Sequence, residues 1–176
     1  MTTFAVHQPD RTEAAEYYQT YISQVPPGDI RDVLDAQADE LPRLLAGLSE
    51  DQSHYRYAPE KWSIRQVVNH ITDTERVFSF RAFWFGRGYE QPMPSFDQDI
   101  AMAVAGANER TLADLLDEFR AVRAATRTLF RSMPAGAWDR RGVASDNPVT
   151  VRALAYITAG HVEHHTRILR ERYLAR

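Results

Sequence analysis

A chain of 176 residues, 44% hydrophobic and 26% charged, is one domain's worth of globular sequence and is long enough to bury a core. Its net charge of −3 comes without a basic block, which argues against nucleic acid as a partner, and no apolar run approaches the ~20 residues of a membrane span. Cysteine is absent, so disulfides, iron–sulfur clusters and thiolate zinc sites are excluded, and any metal must be held by histidine, carboxylate or water. The opening Met1-Thr2-Thr3-Phe4 does not read as a signal peptide, and the cytoplasm is the expected compartment.

From Arg11 to Ile22, Ala14, Tyr17, Tyr18 and Tyr21 share related faces and predict a short N-terminal helix, ended by Pro26-Pro27-Gly28-Asp29. Asp29 is placed to cap a helix carrying Ile30, Val33, Leu34, Leu41, Leu44, Leu45 and Leu48, with Pro42 inside it as a kink. Ser49 to Trp62 is polar, contains Pro59 and is expected as loop. Ser63-Ile64-Arg65-Gln66 is a capping box; it opens a second long helix to about Phe85, striped by Ile64, Val67, Ile71, Phe78, Ala82 and Phe85, and stopped by Gly86 and Gly88. Tyr89 to Asn108 carries Pro92 and Pro94 and predicts a long loop with a short helix from Phe96 to Val104, laid over the bundle as a cover.

A third long helix is predicted from about Glu109 to Met133, with Leu112, Leu115, Leu116, Phe119, Val122, Thr126, Leu129 and Phe130 at helical spacing. Pro134 and Gly136 end it, Ala135 to Val149 reads as loop with a turn at Asn147-Pro148, and Thr150 can cap a last helix from Val151 to Tyr173. Four long amphipathic helices without a strand signal predict an all-α fold. It is a four-helix bundle with a short extra N-terminal helix and a long loop between the second and third bundle helices, forming one domain over residues 1–176.

The last helix carries His161-Val162-Glu163-His164-His165, three of the chain's six histidines. At 100° per residue His161 and His165 fall on the apolar side with Leu154, Ile157, Ile168 and Leu169, while His164 lies at its edge. Two inward imidazoles at i, i+4 can grip one divalent metal; equally, they can be core histidines hydrogen-bonded to neighbours. A third ligand is available on the second long helix in His70, a quarter-turn from the stripe beside Thr74 and Arg81, which suits a cleft between helices or a half-exposed surface position. Asp73 could orient an imidazole or be simply solvated. Glu75 falls inside the apolar stripe, where pairing with Arg76 or Arg81 is the default.

Lys61-Trp62-Ser63 followed by Val67-Val68-Asn69-His70-Ile71-Thr72-Asp73-Thr74-Glu75, and His161-Val162-Glu163-His164-His165 near the end, resemble the DinB-like (YfiT-like) metalloenzyme family. Tyr57-Ala58-Pro59-Glu60-Lys61-Trp62 and Pro94-Ser95-Phe96-Asp97 add to the resemblance, which runs from about Ile30 to Leu169. It implies a four-helix bundle holding one divalent metal through His70, His161 and His165, and a family that includes thiol-dependent S-transferases beside members of unknown activity.

Three neutral imidazoles would leave a coordination position for water or a thiol, and they suit Zn, Ni or Fe. Without cysteine of its own, the chain would take any thiol from a low-molecular-weight cosubstrate. The expected function is therefore a metal-dependent thiol S-transferase or hydrolase acting on a small-molecule substrate, with no catalytic side chain assigned. The alternative is a non-catalytic bundle, a binding or stress-response protein whose metal is structural or vestigial. Tyr17, Tyr18 and Tyr21 make a homodimer through the N-terminal helix one expectation; the other is that this helix folds back over its own bundle.

Overall fold

The computed structural model describes residues 4–175, so Met1, Thr2 and Thr3 of the opening segment lie outside the described residues. A 3-10 turn at Arg11–Glu13 precedes α1 (Glu16–Ile22). Then come α2 (Ile30–Gln37), α3 (Glu40–Leu45), α4 (Glu50–Ser53), α5 (Ile64–Gly86), α6 (Gln98–Val104) and α7 (Leu112–Arg131). A hairpin of β1 (Arg141–Ala144) and β2 (Asn147–Thr150) leads into α8 (Val151–Ile168), which continues as a π-helical tail over Leu169–Leu174. Short polar side chains fix most of these starts: Asp29, Ser63, Asp97, Thr111 and Thr150 each accept a hydrogen bond from an amide of the first turn. The bundle consists of the α2–α3 pair, α5, α7 and α8, with α5 central between α7 and α8 and α1 lying along α8.

Several elements differ from the expectations above. The first bundle helix is broken at Ala38-Asp39 instead of kinked at Pro42. The proline ring clashes with the carbonyl four residues earlier, and that residue is Ala38. The N-terminal helix is interrupted at Ala14, because the Glu13 side chain turns inward to accept from Thr150 Oγ1 at 2.7 Å and Arg152 Nε at 3.1 Å. Within the segment read as loop, Ser49 and Gln52 form a capping box for α4, a signal the sequence carried.

The all-α four-helix bundle stands as expected, and one short hairpin, which gave no strand signal in the sequence, is added to it. β1 and β2 pair antiparallel, Val143 opposite Pro148 and Ala144 opposite Asn147. The turn is at Ser145 and Asp146, both with positive φ (52° and 61°), and not at Asn147-Pro148, which begins β2. Strands of four residues are too short to show alternation, and Pro148 is tolerated because a two-stranded ribbon is all edge. Met93 bonds the same turn through its backbone, at 2.8 Å to Val143 O and 3.1 Å from Ser145 N. That ties down one end of the 89–108 segment.

The core falls into two apolar clusters, one around Phe78, Phe85, Phe130, Trp138 and Ile157, the other around Ile64, Val67, Ile71, Leu115, Phe119 and Val162. Between them lies a layer of buried polar side chains that includes His70, Thr74, Glu75, Arg123, Thr126, Thr158 and His161. Glu75 pairs with Arg123 of α7, at 2.8 and 2.7 Å in a two-pronged contact, and both side chains are almost wholly buried. Neither Arg76 nor Arg81 is its partner. Arg123 also donates to Gln37 Oε1 at 3.2 Å, and Gln37 donates to Ala159 O at 3.2 Å, so the layer links α2, α5, α7 and α8.

Candidate metal centre

The polar layer brings His70 of α5 against His161 and His165 of α8. His161 Nε2 lies 3.1 Å from His70 Nε2 and 3.1 Å from His165 Nε2; one ligand nitrogen from each ring lies within 4.8 Å of the other two. His70 is 3% exposed, which excludes the half-exposed surface position open to it from periodicity alone. His164, at the edge of the stripe, stays outside the trio and faces Gln24 Nε2 at 3.4 Å.

Burial pushes the His70 imidazole down to about 4. His161 and His165 are held well below the ordinary histidine range, by burial first and by the neighbouring imidazoles next. All three are therefore neutral at physiological pH. A neutral imidazole nitrogen carries either one N–H or one lone pair, so His161 Nε2 can make only one full hydrogen bond while facing two partners. A cation would accept all three lone pairs at once. Tetrahedral zinc with Zn–N of about 2.0–2.1 Å separates its nitrogens by roughly 3.3 Å, close to the spacing of the two short pairs. The all-nitrogen donor set suits Zn, Ni or Fe and disfavours the oxygen-seeking Ca and Mg.

Neighbours hold the rings in place. Thr74 Oγ1 lies 3.4 Å from His70 Nδ1, on the side that would carry N–H if Nε2 is the ligand atom. The Trp62 ring lies 4.8 Å from that of His70, and the Tyr21 and Phe78 rings meet His161 edge-to-face at 5.3 and 5.9 Å. Asp73 does not orient an imidazole: it accepts from Asn69 Nδ2 at 2.6 Å and Arg76 Nη1 at 3.1 Å. Trp62 stands in the Lys61-Trp62-Ser63 motif ahead of His70, whereas nothing in the sequence marks Tyr21 or Phe78 as neighbours of His161, because those contacts depend on how α1 and α5 pack on α8. A pocket of about 280 Å³ opens beside His165, with Trp62, Tyr57 and Tyr173 as aromatic walls and Lys61, Glu60 and Asp99 among its polar residues. It lies between the loop before α5, the start of α6 and the end of α8.

This chain matches the DinB superfamily over residues 33–169, from within α2 to the end of α8, which includes all three histidines. The chain belongs to that superfamily. Among solved structures, this DinB-superfamily chain is similar to YfiT from Bacillus subtilis, described as a probable metal-dependent hydrolase with an unusual four-helix bundle topology. The TM-score is 0.71 at 16% identity, covering 94% of this chain and 90% of YfiT; at that identity the likeness shows the shared fold. No curated protein matches the chain significantly. Among the described residues, no helix is long and apolar enough to cross a membrane.

Proposed function

We propose that this chain is a metal-dependent enzyme acting on small molecules, with His70, His161 and His165 as the ligands of one divalent ion and hydrolysis as its reaction. The observation that carries this reading is the convergence of three neutral imidazoles, His70 and His161 buried and His165 half-buried, on one point where their lone pairs have no other common partner. The DinB-superfamily membership and the fold shared with YfiT support it. A divalent ion held by these three imidazoles would supply Lewis-acid chemistry, making water or a thiol nucleophilic near neutral pH. The residues around it bind and orient. Trp62, Tyr57 and Tyr173 offer flat apolar walls to a substrate of modest size, Lys61 can meet an anionic group, and the Glu60 and Asp99 carboxylates can take up a proton.

The test uses protein purified without a histidine tag. Metal content is measured, then small esters and amides are screened, with a low-molecular-weight thiol plus an electrophile as a parallel arm. Hydrolysis that is lost in His165→Ala and kept in His164→Ala supports the reading. Turnover only with the thiol would make the protein an S-transferase. Because Lys61 is the chain's one lysine, a true substrate should also slow its modification by an amine reagent. Stoichiometric metal without turnover in either arm would leave a binding protein.

A further inference from the structure

Gly160 stands in the middle of α8, immediately before His161, at a position where glycine weakens a helix. Its neighbour explains it. A Cβ built there would lie 2.1 Å from the carbonyl oxygen and 2.5 Å from the carbonyl carbon of Tyr21. The backbone of α1 therefore rests directly on α8, with no room for a methyl group between them.

That contact lowers the Tyr21 ring onto the histidines. It meets His161 at 5.3 Å and 72°, and His164 at 5.4 Å and 81°. Phe78 meets the His161 ring at 5.9 Å and 85°, so this imidazole is held by two aromatic rings. The Tyr21 hydroxyl is engaged elsewhere, 3.1 Å from that of Tyr17, which leaves the ring as the part that acts on His161. α1 also lies outside the residues that match the superfamily, so this wall is a feature of the present chain beyond that match.

We infer that Tyr21 is a positioning residue of the metal centre: its ring, seated by the close approach at Gly160, fixes the His161 rotamer that turns Nε2 toward His70 and His165. This rests on the reading of the three histidines as ligands.

The test titrates Co²⁺ into the full-length chain, because the visible absorption of Co²⁺ reports ligand number and geometry apart from any turnover. Tyr21→Ala and Gly160→Ala are expected to weaken Co²⁺ binding by about ten- to a hundred-fold and to alter the spectrum. Tyr21→Phe, which keeps the ring, is expected to match the wild type in both. Should Gly160→Ala fail to fold, Tyr21→Ala, which only removes atoms, still decides. Wild-type binding with an unchanged spectrum and affinity in Tyr21→Ala would overturn this inference alone. A wild-type chain that takes up no Co²⁺ would overturn the metal reading and this inference with it.

Discussion

Acidifying the metal-free protein tests whether the imidazoles are as dry as their packing implies. His70 titrates at about 4 in the fold, against about 6.5 in an open chain. Between those values the unfolded chain binds a proton that the folded chain refuses. Stability is therefore full above the unfolded value, declines as pH drops through 6.5, and levels off once pH passes below the folded value. For His70 alone the decline from pH 7 to 5 is about 2 kcal/mol. His161 and His165 act in the same direction, since burial depresses both. Ordinary carboxylates titrate lower, near 4, and contribute little in this window. The assay is urea unfolding followed by far-UV circular dichroism at pH 7, 6 and 5, after dialysis against a chelator and again with excess Zn²⁺. The metal-free midpoint should fall with pH, less steeply in His70→Phe, and Zn²⁺ should raise it at each pH because only the folded chain brings the three histidines together. A metal-free midpoint that stays level from pH 7 to 5 would show the imidazoles to be hydrated and the burial argument to be wrong.

Other consequences follow from the same geometry. Arg123→Met strands the buried Glu75 carboxylate and should cost about 3–5 kcal/mol in urea unfolding, with much of the loss recovered in the Glu75→Leu/Arg123→Met double variant; equal losses in the two would contradict the pairing. In equilibrium dialysis with Zn²⁺, alanine at His70, His161 or His165 should abolish binding while His164→Ala retains it. Trp62 lies against His70, so Co²⁺ should quench tryptophan fluorescence in the wild type and much less in Trp62→Phe. A homodimer through α1 would rest on Tyr17, which is 67% exposed, whereas Tyr18 and Tyr21 pack against their own bundle. Sedimentation at micromolar concentration should then slow in Tyr17→Ala, and an unchanged coefficient would remove α1 as the interface.

The order of the long helices, the polar caps at Asp29, Ser63 and Thr150, and the two inward histidines of α8 were determined by the sequence alone, because these properties are local. A cap needs residues within one turn, and a 100° count decides which of His161, His164 and His165 share a face. Across elements the same count loses its force. His70 sat a quarter-turn off its stripe and could be assigned to solvent or to a cleft; only packing of α5 on α8 buried it to 3% exposure and aimed Nε2 at His161. Glu75 had two arginines nearby in sequence, yet its partner is Arg123, 48 residues away, since burial on both sides left no room for a solvated pair. The hairpin escaped notice because four-residue strands carry no periodicity and their pairing depends on what they meet. Gly160 shows the same limit most plainly. In the sequence it is a weak residue in a helix, and its reason lies in a carbonyl oxygen of Tyr21, brought to it only when α1 folds back along α8.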